Sequence, residues 1–251
     1  MAHGPVWAIV VAAGDGSRYG GPKQFEELAG ERVVDRAVAV ASAACDGVVL
    51  VVPADRVGDR PSGVDRVVAG GATRSESVRA GLSAVPDDAA VVVVHDGARP
   101  LAGVDLFHRV VSAVRDGAAG AVPGVPVSDT LKRVGDDGVV RATVDRAGLV
   151  AVQTPQAFAA EKLRSAHRAG GHATDDAGLV EAAGGRVVVV AGDRRNVKIT
   201  EPGDLALVEG LASHGPSDPA RGQERSEMSD EKTHPSGEET HLSDGALGGG
   251  P

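Results

Sequence analysis

The sequence predicts an α/β fold, and three features of the chain point to it. Short runs of β-branched residues recur, and each is almost continuously apolar, as expected of strands covered on both faces in a parallel sheet. Segments with helical periodicity lie between these runs, and such alternation favours right-handed crossovers. We therefore predict a Rossmann-like, mainly parallel twisted sheet with helices on both faces and a protruding β-hairpin arm. The predicted strands are Val6–Val11, Val48–Val52, Val91–Val94 and Val187–Val190.

The helical segments carry apolar residues at the spacing of one helix face. Thr73 and Glu76 predict a capping box at the start of the second helix. The apolar faces consist of Val33, Ala37, Val38 and Ala41; of Val78, Leu82 and Val85; and of Phe107, Val110, Val111 and Val114.

Residues 127–152 interrupt the strand–helix alternation. The segments 130–134 and 139–144 flank Gly135-Asp136-Asp137-Gly138, which is a hairpin signal. An isolated two-stranded hairpin is marginally stable in water, so we expect this arm to pack against something, with a second subunit as one candidate.

We predict one domain over residues 1–211 and a disordered acidic tail over 212–251. The tail is rich in Ser, Gly, Pro, Glu and His and has too few apolar residues to offset the entropy of ordering. It holds eight acidic and three basic residues, about half of the net charge of −9.

Composition narrows the class of partner and the compartment. With 35 acidic against 26 basic residues, the chain predicts no broad basic face, so we expect no nucleic-acid partner. The first apolar run is too short to span a bilayer, and no signal peptide is recognisable. A single cysteine fits a reducing compartment. We expect a soluble, cytoplasmic protein without membrane contact.

A glycine-rich loop follows the first predicted strand. It begins at Ala12, Ala13, Gly14 and Gly16, and glycines here let backbone N–H groups approach an anion. Arg18 and Lys23 add two positive charges, so the loop predicts a polyphosphate site. The spacing is not that of a P-loop.

The same loop argues against a dinucleotide-binding oxidoreductase. Tyr19 stands where the dinucleotide fingerprint requires a small residue. A plain βα turn with solvated charges and a nucleotide-binding regulator without turnover remain as alternatives.

Seven motifs in order resemble one family of enzymes. The motifs begin at Ala12, Gly70, His95, Asp129, Gln153, Thr174 and Asn196, and they read AAGxGxR…PKQ, GGxxRxxSVxxGL, HDGARP, DTLK, QTPQxF, TDD and NVKIT. Over residues 6–211 the chain is similar to the 2-C-methyl-D-erythritol 4-phosphate cytidylyltransferase family of the non-mevalonate isoprenoid route. Two departures are visible: Gly97 replaces an alanine of the family, and the loop between Arg18 and Pro22 is short.

The resemblance implies a reaction and a set of catalytic residues. A cytidylyltransferase joins CTP and 2-C-methyl-D-erythritol 4-phosphate to give 4-diphosphocytidyl-2-C-methyl-D-erythritol and pyrophosphate. Arg18, Lys23 and Lys198 would hold the phosphates, and Asp96 would contact the acceptor hydroxyls or the nucleotide near a metal. Mg²⁺, held mainly by the CTP phosphates, is implied, and no protein metal ligands are predicted.

The nucleotide site would include the glycine loop, Gly97 and a base-reading group. The resemblance assigns Gly70, Gly71 and Ser77 to the cytosine edge, while Arg74 remains open between surface charge and site residue. His95 and Arg99 are predicted to be structural.

The acceptor site would be shared between the subunits of a homodimer. Thr130, Arg146 and Thr154 match family positions that bind the erythritol phosphate, and Thr174 and Asp175 match a further part of that pocket. Thr174 is equally well explained as a helix N-cap. A related transferase for another polyol phosphate, such as ribitol 5-phosphate, is the nearest alternative function.

Overall fold

The computed structural model describes residues 4–170 and 175–214. In these ranges the chain forms a central eight-stranded sheet, two small two-stranded sheets and helices. The strands are β1 (Val6–Val11), β2 (Glu27–Leu28), β3 (Glu31–Arg32), β4 (Gly47–Val52), β5 (Arg66–Ala69), β6 (Val91–Asp96), β7 (Gly120–Pro126), β8 (Leu131–Val134), β9 (Val140–Val144), β10 (Val150–Val152), β11 (Gln156–Ala159) and β12 (Val187–Ala191). The helices are α1 (Val33–Ala44), α2 (Arg74–Ala84), α3 (Val104–Arg115), α4 (Ala160–Ala169), α5 (Asp176–Ala182) and α6 (Pro202–Ser213).

The central sheet is mainly parallel, which confirms the predicted fold class. Its strand order is β10-β7-β11-β6-β1-β4-β5, and β12 pairs with β7. Strand β1 lies parallel between β4 and β6, whereas β10 and β11 run antiparallel to β7. Because β1 and β6 are adjacent and parallel, their carboxyl ends meet at one edge of the sheet, where ligands bind in this class of fold.

Two apolar clusters cover the two faces of the sheet. Phe107 of α3 is completely buried in one cluster, and Phe158 of β11 is completely buried in the other. Burying side chains of this size contributes about 1.5–3 kcal/mol each. The apolar faces predicted for α1, α2 and α3 are all buried, as expected for amphipathic helices packed on a sheet.

The predicted capping box is present at the start of α2. The Thr73 hydroxyl accepts a hydrogen bond from the Glu76 amide at 3.1 Å, and the Glu76 carboxylate accepts one from the Thr73 amide at 3.0 Å. The two bonds satisfy amide groups that the first turn of a helix leaves without partners.

One strand differs from its predicted environment. The run Val187–Val190 is a strand, but β12 lies at the sheet edge, and Val189 is 55% exposed. The expectation that this strand is covered on both faces is therefore wrong. A continuous apolar run predicts a strand. It does not show whether other elements cover both faces of that strand in the folded chain.

The predicted arm is a hairpin of β8 and β9, whose strands are largely exposed. Its boundary differs from the prediction, since β10 pairs with β7 and Val150–Val152 therefore belong to the central sheet. The carboxyl-terminal boundary also differs, because α6 continues to Ser213, two residues beyond the predicted end at 211. The remainder of the predicted tail, residues 215–251, lies outside the described residues.

Candidate active site

A cavity of about 440 Å³ opens at the carboxyl ends of β1 and β6. The glycine loop, the start of α2 and the segment after β12 all contribute to its wall. The register pairs Val11 with Asp96, so the two strands end at the same level. The cavity is lined by Val11, Ala12, Ala13, Gly14, Asp15, Lys23, Gln24, Gly71, Ala72, Thr73, Arg74, Ser77, Asp96, Ala98 and Lys198.

Gln24 fixes the glycine loop from behind. Its side chain is 3% exposed, and its amide nitrogen donates to the carbonyl oxygens of Ala12 at 2.7 Å and Gly14 at 2.9 Å. Two hydrogen bonds from one buried amide hold this backbone in a single path, with Ala13 and Gly14 facing the cavity.

Gly16 is required by the shape of the same loop. Its φ is +69°, and an added Cβ would lie 1.7 Å from the carbonyl oxygen of Gly21. The Gly16 carbonyl accepts hydrogen bonds from the amides of Tyr19, Gly20 and Gly21. The short stretch between Arg18 and Pro22 is therefore closed by backbone contacts that a side chain at residue 16 would disrupt.

Lys23 and Lys198 bring two positive charges to the cavity from segments far apart in sequence. Burial lowers the pKa of Lys23, and the charges of Lys198 and Arg18 lower it further. Arg18 is exposed and does not line the cavity in this conformation, but its charge lies close enough to act on Lys23. Cations that repel one another at this spacing favour the binding of a multivalent anion.

Asp96 is the carboxylate on which several cations converge. Lys198 Nζ lies 2.8 Å from Oδ2, Arg74 Nε lies 3.4 Å from Oδ1, and Arg99 Nε lies 3.8 Å from Oδ2. Burial would raise the pKa of Asp96, but Lys198 and Arg74 hold that pKa well below its usual range. The group therefore remains ionised and fixes the position of the Lys198 ammonium.

His95 and Thr154 support Asp96 from the buried side. The Thr154 hydroxyl accepts a hydrogen bond from the Asp96 amide at 3.0 Å and lies 3.2 Å from His95 Nδ1. His95 Nε2 donates to the Arg99 carbonyl at 3.2 Å, so Nδ1 is left to accept the Thr154 proton. Burial lowers the pKa of His95 to about 4, which keeps the ring neutral, as its predicted structural role requires.

Arg99 has the bracing role that the sequence predicts for it. Its Nη1 donates to the carbonyl of Asn196 at 2.7 Å, and this ties the loop after β6 to the segment that carries Lys198. The side chain of Asn196 is buried and donates to the Thr154 carbonyl at 2.8 Å. These contacts hold Asp96 and Lys198 at a fixed separation.

Arg74, which the sequence leaves open between surface charge and site residue, belongs to the cavity wall. Its Nη1 lies 2.7 Å from Asp176 Oδ2, and Asp176 Oδ1 lies 2.9 Å from His167 Nε2. Both Asp176 and His167 are buried. Burial would raise the pKa of Asp176, but the hydrogen bond from His167 and the charge of Arg74 lower it.

The predicted base-reading residues lie together at the start of α2. Ser77 is 3% exposed, accepts a hydrogen bond from the Gly71 amide at 3.2 Å and donates to the Thr73 carbonyl at 3.0 Å. A Cβ at Gly70 would lie 2.3 Å from Ala13 Cβ, so glycine lets this segment pack against the glycine loop. At Gly97, where the family carries alanine, an added Cβ would lie 3.1 Å from Ala12 Cβ and 3.2 Å from the Val11 carbonyl oxygen, so an alanine here requires a small shift of the glycine loop.

Of the predicted acceptor residues, the four that the structure describes, Thr130, Arg146, Thr154 and Asp175, do not line this cavity. Thr130 and Arg146 are exposed beside the arm, where Arg146 donates to the Ser128 carbonyl. Thr154 is 4% exposed, and its hydroxyl contacts His95 and the Asp96 backbone. Its contact with the acceptor stays a prediction.

Asp175 serves as the N-cap of α5, a role that the sequence offered to Thr174 instead. Its carboxylate accepts hydrogen bonds from the backbone amide of Gly178 at 2.9 Å and from the side-chain amide nitrogen of Gln156 at 3.2 Å. Thr174 itself lies outside the described residues, so both interpretations of it stay predictions.

Within residues 4–170 and 175–214, no group of three or more His, Cys, Asp or Glu side chains is arranged to hold a metal ion. The helices of the same ranges are all too short or too polar to cross a membrane.

Comparison with known proteins identifies the family. The profile of IspD, 2-C-methyl-D-erythritol 4-phosphate cytidylyltransferase, matches residues 6–213. The chain belongs to this family. It is a nucleotidyltransferase with the family's Rossmann-like fold.

Relatives and solved structures agree with this assignment. The chain is 49% identical over 217 residues to the 2-C-methyl-D-erythritol 4-phosphate cytidylyltransferase of Nocardia farcinica, which covers 83% of this chain and 94% of that protein. It is also 49% identical over 221 residues to the enzyme of the same name from Rhodococcus opacus, covering 85% and 97%. The crystal structure of the Thermus thermophilus enzyme is 36% identical, has a TM-score of 0.72, and covers 84% of this chain and 99% of that one.

Three residues of this cytidylyltransferase escaped the sequence analysis as site residues. Gln24 and Asp176 stand inside recognised motifs, yet nothing in a motif says that one braces a loop or that the other binds Arg74. His167 lies in no motif at all. Its position four residues after Leu163, on the same helix face, was the sole sequence signal for its burial.

Proposed function

We propose that the cytidylyltransferase reaction takes place in the cavity between the glycine loop, Lys23, Lys198 and Asp96. A phosphate monoester oxygen of 2-C-methyl-D-erythritol 4-phosphate attacks the α-phosphorus of CTP. A new P–O bond forms, the bond to the β-phosphate bridging oxygen breaks, and pyrophosphate leaves. The convergence of Lys23 and Lys198 on one cavity carries this assignment.

The transfer reaction requires the site to position the two reactants and to neutralise the charge on the α-phosphoryl group. A phosphate monoester is largely dianionic near neutral pH, because its second pKa is about 6, so a strong general base is not needed. Charge accumulates on the α-phosphoryl oxygens during transfer, and preorganised cations are effective at stabilising it. Lys23 and Lys198 supply these charges in our proposal, with Arg18 closing over the phosphates.

The nucleotide is selected at Gly70, Gly71 and Ser77. The cavity reaches both the glycine loop and the start of α2, so a triphosphate at the loop leaves its base beside Ser77. Cytosine offers a short hydrogen-bonding edge, and backbone groups with one hydroxyl are sufficient partners. Ala12, Ala13 and Gly14 form part of the remaining wall. Gly16 shapes the loop that carries them, and Gly97 packs close to Ala12.

Mg²⁺ is the ion we propose for the reaction. It prefers oxygen ligands, usually keeps several waters and binds substrate phosphates with few protein groups. The carboxylates in the cavity wall are Asp15 and Asp96, and Asp96 is already paired with Lys198. This donor set fits an ion held mainly by the triphosphate, which would draw charge from the leaving pyrophosphate.

The acceptor pocket is completed, in our proposal, by a second subunit. Thr130 and Arg146 lie outside the cavity wall beside the exposed β8–β9 hairpin. Val134, Val139 and Val140 of this hairpin are each at least half exposed, as expected of a surface that a partner covers. The Arg146 guanidinium of one subunit can then bind the acceptor phosphate in the active site of the other subunit.

The cytoplasmic location stays a prediction that rests on the single cysteine.

A pyrophosphate-release assay tests the proposal. The protein is incubated with Mg²⁺, each of CTP, UTP, ATP and GTP, and either 2-C-methyl-D-erythritol 4-phosphate or ribitol 5-phosphate. We expect release above background with CTP and the erythritol phosphate, and a loss of about 10²–10³ in kcat for Lys23→Ala. Lys162→Ala, which removes an exposed lysine of α4, is the matched control and should retain activity. Release with ribitol 5-phosphate alone would overturn the substrate assignment.

A further inference from the structure

A second groove, separate from the active-site cavity, lies between α2 and α4. Its volume is about 370 Å³, and its polar residues are Arg79, Ser83, Asp87, Arg164, His167 and Arg168 over an apolar floor. None of these residues lines the cavity described above. We call it the α2–α4 groove.

The groove concentrates positive charge in a chain whose net charge is −9. Arg164 and Arg168 are four residues apart on α4 and therefore share one face of the helix. Like charges at this spacing destabilise a helix by a few tenths of a kcal/mol unless something neutralises them. Among the residues that the structure describes, three arginines line the groove wall against one carboxylate, that of Asp87.

Two of the three groove arginines, Arg79 and Arg168, are left available for a ligand. Arg164 is held in place because its guanidinium donates to the carbonyls of Val85 at 3.1 Å and Pro86 at 2.8 Å. Among the described residues, the guanidinium groups of Arg79 and Arg168 have neither an ion-pair partner nor a hydrogen-bond partner. Guanidinium forks match the geometry of phosphate oxygens.

His167 marks the groove by an independent observation. The side chain lies in the groove wall and is 5% exposed, yet its Nδ1 is buried and finds no hydrogen-bond partner among residues 4–170 and 175–214. A buried nitrogen without a partner is uncommon in proteins and calls for an explanation. Its other ring nitrogen, Nε2, lies 2.9 Å from Asp176, which in turn binds Arg74 of the active-site cavity.

We propose that the α2–α4 groove is a second anion site, which takes a small phosphorylated molecule. Arg79 and Arg168 bind the phosphate group, and Arg164 fixes the distance between the two helices. Because His167 Nε2 donates to the Asp176 carboxylate, Nδ1 is left as an acceptor, and it accepts a hydrogen bond from a protonated oxygen of the bound molecule. This contact draws His167 towards the groove and so changes the contact between His167 and Asp176. Arg74 responds because Asp176 is its closest partner, and the affinity of the active site for CTP changes with it.

Binding is tested with inorganic phosphate as the probe. Backbone amide shifts are followed by NMR at saturating CTP, so that the active site is already occupied. We expect residues 79–85 and 164–168 to shift in the parent protein, and the affinity to fall at least about tenfold in Arg79→Ser/Arg168→Ser, since two charge-assisted contacts are lost. The control Arg109→Ser/Arg186→Ser removes the same charge from exposed positions outside the groove and should bind as the parent does.

The site is refuted if these residues do not shift in the parent protein, or if all three proteins bind phosphate equally. Thermal unfolding of the variants checks that the fold is retained. The readout does not involve turnover, so it is independent of whether the cytidylyltransferase proposal holds.

The connection to the active site is measured by CTP binding with and without phosphate. Phosphate also competes directly for the active site, but that competition is the same in the parent and in Arg79→Ser/Arg168→Ser. The difference between the two proteins therefore isolates the groove, and we expect a several-fold difference in the effect on the Kd of CTP. By linkage, CTP must alter phosphate affinity by the same factor. Equal effects in both proteins would contradict the connection.

Discussion

Asp96 organises the candidate site at the scale of single residues. It holds Lys198 by a 2.8 Å ion pair, while its own backbone amide is held by Thr154. A carboxylate surrounded by three cations cannot be replaced by an amide without leaving those charges to repel one another. We therefore expect Asp96 to contribute to catalysis by placing Lys198, whatever contact it also makes with substrate.

The substitution Asp96→Asn tests this role. We expect kcat to fall about 10²-fold or more, because the Lys198 ammonium loses its fixed position next to the reacting phosphate. Asp105→Asn on the exposed face of α3 is the control and should leave kcat unchanged. Steady-state kinetics under saturating CTP and acceptor give the answer, and wild-type kcat in Asp96→Asn would contradict the assignment.

The lowered pKa of Lys23 predicts a pH dependence. A lysine must be protonated to hold phosphate, so this contribution is present at low pH and lost as pH rises through the pKa. Burial and the neighbouring charges of Lys198 and Arg18 place that loss below the usual lysine value of about 10.4. We expect kcat/KM to fall on the alkaline side accordingly.

The variant Lys23→Arg separates Lys23 from other groups that titrate at high pH. A guanidinium stays charged throughout this range, so the alkaline fall in kcat/KM should move to higher pH. An unchanged alkaline limb in Lys23→Arg would show that another group controls it.

At the scale of elements, the glycine loop depends on one backbone conformation. Gly16→Ala introduces a Cβ at a φ of +69° and within 1.7 Å of the Gly21 carbonyl oxygen, so the loop must open. We expect the KM for CTP to rise about tenfold or more, with a loss of stability of about 1–3 kcal/mol, as for strained positions in general. Gly58→Ala is the matched control, since nothing lies within 4 Å of the added Cβ there. Thermal unfolding and CTP titration measure both effects, and a Gly16→Ala protein that equals Gly58→Ala would refute the requirement.

The sequence predicted those elements whose signal is local. The strands β1, β4 and β6 contain nearly continuous apolar runs rich in β-branched residues, and the capping box of α2 consists of two residues three positions apart. Strands β10 and β11 escaped prediction because they have three and four residues and owe their place to pairing with β7. The exposure of β12 was not predicted for the same reason, since it depends on which strand β12 pairs with in the folded sheet.

The residues of the candidate active site divide in the same way, into those that a local motif predicts and those that depend on long-range contacts. Family motifs identified Lys23, Asp96 and Lys198, and the structure brings all three to one cavity. The ion pair between Arg74 and Asp176 joins residues 102 positions apart, and no local sequence pattern predicts it. The contacts of the Thr154 hydroxyl with the Asp96 backbone and with His95 also depend on the fold, because they join residues 58 and 59 positions apart.

At the scale of the whole molecule, the account predicts active sites shared between subunits. If Arg146 serves the neighbouring site, mixing Lys23→Ala with Arg146→Ala subunits yields a dimer in which one of two sites keeps both residues. An equimolar mixture should recover about one quarter of parental activity, since half of the dimers are mixed and each has one intact site.

Two outcomes of the mixing experiment are informative. Lys23→Ala mixed with Lys198→Ala is the control and should recover nothing, because both residues line the same cavity of one chain. If Lys23→Ala with Arg146→Ala also recovers nothing, although energy transfer between fluorescently labelled subunits shows that they exchange, Arg146 acts within its own subunit. If Arg146→Ala alone keeps parental activity, Arg146 has no role in binding the acceptor.

A crystal structure with CTP and Mg²⁺ bound tests the central claim most directly. The account predicts that the ammonium groups of Lys23 and Lys198 both lie within hydrogen-bond distance, about 3.2 Å, of phosphate oxygens, with the base beside Ser77. A triphosphate bound elsewhere, or bound in this cavity with both lysines directed away from it, would contradict the account.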